Sequence, residues 1–358
     1  MSFIFLIAGR TGGPFAPLPS FAVNLPELES VYFDVKNGFA TQALHSGEIL
    51  EFLPDVRFTG GFLTKVLAAF RLVKSIVVCL VFVFKYKPSM VVSTGSFLAV
   101  PMVFAVQITN KLGLTHTAIV VHQQDPELGL THKIIAKYAG IRSCVFKYTK
   151  SKYSIFSDAY IISNPINTEK FKLADFNSIK NNFKLYNFLT LQSHKPLLLI
   201  FGGGSGAEFI NMWVEKSRDQ LLEQFRIIHL TGVLQTRSIS TIHHIDYFQT
   251  DILTTEMPCA MKLADLVLCR PGLGSISELL FLSKPAFLVP IPDSHQEKNA
   301  IVVSDSFVIL NQKKVDAWSD IIVASFPKEF INKKYPDTVA ESRKTQIYFD
   351  QIRNLLQH

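Results

Sequence analysis

Two glycine-rich turns in the second half of the chain each follow a short apolar run and precede a helical pattern. The run 197–201 leads into Gly202 and the turn 202–206, and the run 266–269 leads into the turn 270–275. Glycine lets the backbone approach a phosphate closely, and the first N–H groups of a helix favour negative charge. In one doubly wound sheet both turns lie at the same edge and could reach one nucleotide diphosphate. Either turn alone could equally be a tight turn that needs positive φ.

Polar side chains follow the second turn. Glu278 falls about one turn into the predicted helix, where a carboxylate can accept two hydrogen bonds from ribose hydroxyls; the alternative is a charge that favours the helix dipole. After a further strand comes the polar cluster 293–300, whose amide side chains can donate to and accept from sugar hydroxyls. Its residues could also be ordinary exposed loop residues. The candidates for sugar binding in this cluster are His295, Gln296 and Asn299.

The first half of the chain has two loops that could complete a site. Residues 9–13 follow the first predicted strand and contain Thr11, Gly12 and Gly13. His122 and Asp125 belong to a polar group that closes another strand. We expect both loops to face the site, although a histidine at the end of an apolar strand is often a buried core residue.

Short apolar runs followed by turns and helical patterns predict βαβ units and a parallel sheet. The predicted strands are residues 3–8, 90–93, 117–121, 197–201, 226–230, 266–269 and 286–290. At 358 residues the chain is long enough for two domains. The Asn-Pro step at Asn164 is followed by a polar stretch and predicts a boundary there. We expect an N-terminal domain over 1–163, a C-terminal domain over 164–335 and a terminal helix over 336–358 that crosses back.

Composition and charge restrict the class of partner. Hydrophobic residues make up 48% of the chain and charged residues 18%, which excludes a disordered protein. The formal net charge of +7 suits nucleic acid, anionic lipid or a polyphosphate substrate. The sequence lacks zinc-ligand spacing and long Lys/Arg runs, so we expect no nucleic-acid partner. The four cysteines are far apart, which predicts a reducing, cytoplasmic setting.

Residues 62–84 form the most lipid-like segment. Apolar residues recur on one helical face with basic residues among them, and 76–84 is almost wholly apolar. That run is about half the roughly 20 residues that a spanning helix needs. The segment is therefore either an interfacial helix that meets lipid with one face or a core helix. The candidates for lipid contact are Phe70, Val73, Val77, Phe82 and Phe84.

In order and spacing, these motifs resemble those of the MurG family of transferases, glycosyltransferase family 28. The resemblance covers nearly the whole chain, and the last two of its motifs are the most specific. The matching segments are 9–17, 122–125, 129–131, 163–166, 202–207 with Asn211, 270–278 and 295–300.

The resemblance implies an α/β GT-B fold, in which two doubly wound Rossmann-like domains face a cleft. It implies inverting transfer of N-acetylglucosamine from UDP-N-acetylglucosamine to the C4 hydroxyl of undecaprenyl-diphosphate-linked N-acetylmuramoyl-pentapeptide. It further implies peripheral association with the cytoplasmic face of the membrane, and no tightly bound metal or cofactor. By similarity, Glu278 would hold the ribose and the backbone of Thr254 the uracil. The remaining donor-binding candidates are Thr11, Gly12, Gly13, Asp125, Gly203, Gly204, Ser205, Leu273, Gly274, Ser275, His295, Gln296 and Asn299.

The chain departs from the family pattern in the first half. Pro14 stands where the family carries a histidine, and Asp125 where it carries an asparagine. An inverting transferase needs a base to take the proton of the attacking hydroxyl, and proline cannot serve. Our hypothesis is that Asp125 or His122 takes that role. Two alternatives stay open: a related transferase with another acceptor, and a non-catalytic UDP-sugar-binding partner of a membrane assembly.

Overall fold

The computed structural model describes residues 2–9, 12–44, 47–55, 62–166, 168–233, 244–330 and 333–357. The chain divides into two compact units. The first unit comprises Met1–Asn167 together with Thr338–His358, and the second comprises Thr168–Asp337. Each unit contains one sheet whose described strands pair in parallel.

The first unit is built on a seven-stranded sheet. Its strands are β1 (Ser2–Ile7), β2 (Leu28–Asp34), β3 (Ile49–Phe52), β4 (Met90–Ser93), β5 (Ala118–Gln123), β6 (Ile141–Cys144) and β7 (Tyr160–Ile161). Their order across the sheet is β3-β2-β1-β4-β5-β6-β7. The direction of winding therefore reverses between β1 and β4, the place where doubly wound sheets bind ligands beyond the strand ends.

Helices connect these strands. They are α1 (Gly12–Phe15), α2 (Leu18–Asn24), α3 (Ala40–Ala43), α4 (Phe62–Tyr86), α5 (Ala99–Lys111), α6 (Leu130–Ile135) and α7 (Lys147–Lys152). Two short 3₁₀ helices span Ala136–Tyr138 and Ser154–Phe156. The helices cover the apolar strands, as a parallel sheet requires.

The second unit repeats the pattern with six strands. The strands are β8 (Leu197–Phe201), β9 (Arg226–Leu230), β10 (Tyr247–Thr250), β11 (Leu266–Cys269), β12 (Ala286–Leu288) and β13 (Val308–Ile309). The order is β10-β9-β8-β11-β12-β13, so the winding reverses between β8 and β11. The helices are α8 (Glu169–Lys172), α9 (Phe183–Thr190), α10 (Glu208–Gln224), α11 (Met257–Leu263), α12 (Leu273–Phe281), α13 (His295–Ile301) and α14 (Trp318–Ser325). The 3₁₀ helices are Phe176–Ile179, Gln312–Ala317 and Lys328–Phe330.

A last helix, α15 (Thr338–Gln357), belongs to the first unit. Tyr348, Phe349 and Ile352 are fully buried in a core cluster with residues of β1 and β2. The ring of Phe349 lies 5.4 Å from that of Phe21 in α2, in an edge-to-face arrangement. The end of the chain therefore completes the core of the unit that contains its beginning.

The predicted α/β class with two doubly wound sheets is confirmed. Four predicted strands, β4, β8, β9 and β11, agree with the structure to the residue. All four are wholly buried, and a strand covered on both faces reads as an unbroken apolar run. Predicted strands 3–8, 117–121 and 286–290 differ from β1, β5 and β12 at their ends.

Helix α4 has an exposed apolar face, which we call the α4 stripe. Its members share one side of the helix and are 49% to 71% exposed: Phe70, Val73, Val77, Val81 and Phe84. Arg71, Lys74 and Lys85 are exposed beside it. The prediction that Phe82 belongs to this face is wrong: its ring lies 5.3 Å from that of Phe33 and packs on the core. In the part of the chain that the structure describes, no helix is long and apolar enough to span a membrane.

Candidate functional site

The turns after β8 and β11 begin side by side. Phe201 and Cys269, the last residues of these strands, are paired neighbours in the sheet. The two strands flank the point where the winding of the second unit reverses. Both glycine turns therefore open at the one edge position where a doubly wound sheet leaves room for a ligand.

The turn after β8 depends on glycine for two different reasons. A Cβ at Gly202 would lie 2.3 Å from the Cβ of Ala207, so only glycine lets the chain fold back this closely. Gly203 has a φ of +99° and Gly206 a φ of +90°, in the region that disfavours other residues. The turn then enters α10, whose N-cap residue makes no side-chain hydrogen bond. Gly203, Gly204 and Ser205, three predicted donor-binding residues, are exposed at its tip.

A glycine from the next loop, which the sequence pattern did not single out, packs against this turn. A Cβ at Gly232, after β9, would lie 2.1 Å from the Cα of Gly206, and its φ is +90°. Val233 N also donates to Gly204 O at 3.1 Å. The signal was a Thr-Gly pair directly after a predicted strand. Two loops thus touch backbone to backbone at this position.

The loop after β10 continues the same edge. Thr231 Oγ1 donates to Asp251 Oδ1 at 3.1 Å, and Gly232 N donates to Asp251 O at 2.8 Å. Thr254, the predicted uracil contact, lies further along this loop and is exposed. Its carbonyl accepts the N–H of Met257 at 3.4 Å. The loops after β8, β9 and β10 therefore form one hydrogen-bonded rim.

Helix α12 begins at the other side of the switch point with an open first turn. Its N-cap is Gly272, which has no side chain to cap the first N–H groups; these belong to Leu273, Gly274 and Ser275. Arg270, just before the turn, is 8% exposed. Its Nη1 donates to a backbone carbonyl and to an amide oxygen at 2.9 Å each. Both acceptors are neutral, and the uncapped N–H groups at the start of α12 favour an anion.

Glu278 lies in the second turn of α12, with 19% of its side chain exposed. Lys170 Nζ of α8 is 2.5 Å from Glu278 Oε1. The carboxylate is therefore one helical turn from the open N–H groups, about the separation between the diphosphate and the ribose of a nucleotide. The pairing with the lysine leaves no local signal in the sequence, because the two residues are 108 positions apart.

Of the three candidate residues in the polar cluster after β12, one is exposed and two have side chains bonded within the unit. His295 is exposed. Gln296 Oε1 accepts the N–H of Ile291 at 3.2 Å, which folds the loop before α13. Asn299 is 1% exposed, and its Nδ2 donates to Pro271 O at 3.3 Å. Asn299 thus fixes the turn at the start of α12, and its contact with the donor stays a prediction.

In the first unit, the loops after β1, β4 and β5 are bonded to one another. Thr94 Oγ1 donates to Pro14 O at 2.5 Å. Gln124 Nε2 lies 3.1 Å from Gly13 O and 3.1 Å from Thr94 O. A Cβ at Gly9 would lie 2.8 Å from Ser96 Oγ, so the loops after β1 and β4 approach closely. Thr94 and Ser96 were not among the predicted site residues, although a Thr-Gly-Ser turn directly follows the predicted strand 90–93.

His122 is a buried core residue, which corrects its assignment to the site. Its side chain is fully buried, Nδ1 lies 2.9 Å from Ser143 Oγ and Nε2 lies 3.0 Å from Asn164 Oδ1. Ser143 also bonds to the hydroxyl of Tyr348 in α15, at 3.0 Å. Burial lowers the pKa of His122 to about 4. A ring without solvent access and with both nitrogens engaged cannot take a proton from a substrate.

Asp125 is half-buried on the loop after β5. Gln123 Nε2 donates to the carbonyl of Asp125 at 2.8 Å and to that of Glu127 at 2.9 Å. The other end of the Gln123 amide meets His132 Nδ1 at 2.5 Å. His132 was absent from the sequence analysis; it is buried, and desolvation lowers its pKa to about 3. The backbone that carries Asp125 is thus fixed from within the unit.

The remaining candidate residues belong to the segment after β1. Gly12 and Gly13 lie in α1, where a Cβ at Gly12 would come within 3.2 Å of the ring of Phe39. Thr11 lies outside the described residues.

Among the described residues, no group of three or more His, Cys, Asp or Glu side chains could hold a metal ion.

Two doubly wound parallel sheets, the second with two glycine turns at its switch point, are the architecture of the GT-B fold. The structure is similar to the crystal structure of Acinetobacter baumannii MurG, with a TM-score of 0.68 and 18% identity over 99% of this chain and 100% of that one. It is also similar to UDP-GlcNAc 2-epimerase from Neisseria meningitidis bound to UDP-GlcNAc, with a TM-score of 0.62 and 11% identity over 98% and 100% of the two chains.

Sequence comparison identifies the family within that class. Residues 4–141 match the glycosyltransferase family 28 N-terminal domain, and residues 197–347 match the family's C-terminal domain. A Clostridium botulinum (strain 657 / Type Ba4) protein is 30% identical over 322 residues, 86% of this chain and 84% of the relative. A Clostridium kluyveri protein is 29% identical over 320 residues, with coverage of 86% and 84%. Both are named UDP-N-acetylglucosamine–N-acetylmuramyl-(pentapeptide) pyrophosphoryl-undecaprenol N-acetylglucosamine transferase. The chain belongs to glycosyltransferase family 28.

Proposed function

We propose that this chain moves N-acetylglucosamine from UDP-N-acetylglucosamine to the C4 hydroxyl of undecaprenyl-diphosphate-linked N-acetylmuramoyl-pentapeptide, in peptidoglycan synthesis. One observation carries the donor half of this proposal: the turns after β8 and β11 open side by side, with Glu278 one helical turn beyond. The names of the family 28 relatives support the choice of donor and acceptor.

The second unit binds the donor. The N–H groups of Leu273, Gly274 and Ser275 and the turn 203–205 receive the diphosphate, because both present backbone at the switch point. Glu278 accepts the ribose hydroxyls. The backbone of Thr254 contacts the uracil from the rim, and His295 with Gln296 contacts the N-acetylglucosamine.

The transfer needs one base and one stabilised leaving group. The C4 hydroxyl oxygen forms a bond to the anomeric carbon while the bond from that carbon to the β-phosphate oxygen breaks, which inverts the anomeric centre. The departing UDP gains negative charge, and the open end of α12 stabilises that charge. The hydroxyl proton passes to Asp125, the base candidate that remains once the burial of His122 is taken into account.

The first unit, Met1–Asn167 with Thr338–His358, holds the acceptor and approaches the membrane. The α4 stripe runs along one helix face with Arg71 and Lys74 beside it. An apolar face flanked by basic residues can lie in the lipid interface while the cations meet anionic headgroups. We infer peripheral association with the cytoplasmic face of the membrane, where a polyprenyl-linked acceptor is accessible.

Turnover with purified lipid-linked muramoyl-pentapeptide and UDP-N-acetylglucosamine tests the whole proposal. We expect a disaccharide-linked lipid and free UDP, detected by mass spectrometry. UDP binding without any product would instead identify a non-catalytic binding partner. Product only with another sugar-lipid acceptor would identify a related transferase.

The Asp125→Asn variant tests the base. We expect kcat to fall by about 100-fold or more with UDP affinity unchanged, because the amide cannot accept the proton. Asp158→Asn is the matched control, since Asp158 is an exposed aspartate of the same unit, paired with Arg142. Turnover of Asp125→Asn at the wild-type rate would remove Asp125 from the mechanism.

A further inference from the structure

The Glu278 carboxylate is already engaged by a cation. Lys170 Nζ lies 2.5 Å from Oε1, and the two side chains are 39% and 19% exposed respectively. The carboxylate is the more buried partner, so its charge is partly desolvated and gains more from a nearby cation than a surface charge would. The ion pair lies directly beside the proposed ribose position.

Lys170 has a fixed support. Phe171, the next residue, is buried, and its ring lies 5.7 Å from that of Phe281 at the end of α12. Lys262 Nζ donates to the carbonyls of Phe171 at 3.3 Å and Ala174 at 3.0 Å. The backbone of α8 is therefore held against α11 and α12. The side chain of Lys170 reaches Glu278 from this fixed backbone.

The ion pair leaves the carboxylate able to bind a ribose. Two carboxylate oxygens offer about four lone-pair positions, and Lys170 uses one of them. Two ribose hydroxyls can therefore donate to Glu278 while Lys170 stays in place. The lysine thus restricts the rotation of the carboxylate without occupying the ligand position.

The charge of Lys170 also matters for a nucleotide. A nucleoside diphosphate carries several negative charges, and a bare carboxylate one helical turn away would repel it. An ammonium on that carboxylate makes the pair neutral overall. Uridine is neutral, so this charge compensation does not affect its binding. A comparison of UDP with uridine therefore separates the charge effect of Lys170 from its effect on the orientation of Glu278.

We propose that Lys170 is a positioning residue for the nucleoside diphosphate: it orients Glu278 for the ribose and offsets the glutamate charge that would repel the diphosphate. This inference rests on the proposed donor site. Lys170 adapts that site to a charged ligand.

The test compares UDP with uridine as probes of the purified full chain. We expect Lys170→Ala to weaken UDP binding about fivefold, the scale of a partly exposed ion pair, and uridine binding by a smaller factor. Lys170→Arg keeps the charge and should restore UDP affinity. In turnover, Lys170→Ala should raise KM for UDP-N-acetylglucosamine with little change in kcat. Lys184→Ala, an exposed lysine on α9, is the control for a simple loss of charge.

Three results would overturn the inference. Lys170→Ala could bind UDP like the wild type, it could lose UDP and uridine affinity by the same factor, or Lys170→Arg could be as weak as Lys170→Ala. Glu278→Ala, measured alongside, separates this from the donor site itself. If Glu278→Ala leaves UDP affinity unchanged, the donor site is wrong and the role of Lys170 falls with it; if only the lysine variants disagree, the donor site stands.

Discussion

The two units wind in the same way but differ in what occupies the point where the winding reverses. In the second unit the turn after β8 exposes Gly203, Gly204 and Ser205, and α12 starts without a side-chain cap. In the first unit, Thr94 and Gln124 are buried and bond the corresponding loops to each other. The two sheets thus share one topology, but the edge at the switch point is open in the second unit and hydrogen-bonded in the first.

This difference shows that the topology creates a possible ligand position at the switch point. The side chains around that position determine whether it is open to a ligand or closed by hydrogen bonds. Backbone N–H groups at an open turn suit an anion without any particular side chain. A cross-linked edge has its polar groups engaged internally and presents fewer, fixed groups such as Asp125. This difference supports our proposal that the second unit binds the nucleotide and that the first orients the acceptor.

The largest effect that tests this comparison is the loss of the ribose contact. Glu278→Ala removes two hydrogen bonds to a charged acceptor, worth about 2–3 kcal/mol together, and should weaken UDP binding by about 30- to 150-fold. Calorimetry with UDP measures it. Glu223→Ala, an exposed glutamate at the far end of α10, should bind UDP like the wild type.

Gly232 tests whether the open turn depends on backbone contact. Gly232→Ala places a Cβ 2.1 Å from Gly206 Cα at a φ of +90°, so we expect a loss of about 1–3 kcal/mol in the free energy of unfolding. Gly204→Ala is the matched control, because its Cβ would meet only Ile252, at 4.0 Å. Urea unfolding of both variants gives the comparison. Equal stability of the two would mean that the loops do not need this close approach.

Buried histidines should make the first unit the more acid-sensitive one. The pKa values of His122, His132 and His229 are lowered to about 4, 3 and 4 by burial, and the first two belong to the first unit. An unfolded histidine binds its proton near pH 6.5, whereas the buried ring does so only near its folded value. The unfolded state therefore binds more protons between these values, and stability falls as pH falls from about 6.5 towards 4.

The two tryptophans make this measurable, since Trp213 and Trp318 both lie in the second unit. Between pH 7.5 and 5 we expect a loss of about 1–2 kcal/mol per buried histidine. The urea midpoint from circular dichroism, which follows both units, should fall more than the midpoint from tryptophan fluorescence. A fluorescence midpoint that is the more sensitive of the two would contradict the assignment.

The smallest expected effect concerns lipid. Replacing Phe70, Val77 and Phe84 of the α4 stripe with serine should reduce co-sedimentation with anionic vesicles severalfold and leave UDP affinity unchanged. The matched control is Leu173→Ser with Phe183→Ser, since these are 74% and 71% exposed in the second unit. Equal loss in both sets would mean that exposed apolar area, and not the stripe, causes the binding.

The strands and turns that could be predicted from the sequence are those that leave a local pattern of residues. The wholly apolar strands β8 and β11 and the glycine turns after them were found because burial on both faces and tight turns leave local signals. Strands such as β6, Ile141–Cys144, were missed because Arg142 and Ser143 interrupt the apolar run.

What the sequence could not supply depends on contacts between distant residues. Helical periodicity defines a face of α4 but not the side on which Phe82 meets the sheet. The burial of His122 requires α15, whose Tyr348 bonds to Ser143 over 205 positions. The pairing of Lys170 with Glu278 likewise follows only from the packing of α8 on α12.

A crystal structure of the chain with UDP would show directly where the nucleotide binds. We predict the diphosphate within about 3.2 Å of the backbone nitrogens at the start of α12, against the turn after β8, with both ribose hydroxyls on Glu278. A nucleotide bound at the loops after β1 and β4, or a diphosphate that contacts neither glycine turn, would contradict the account.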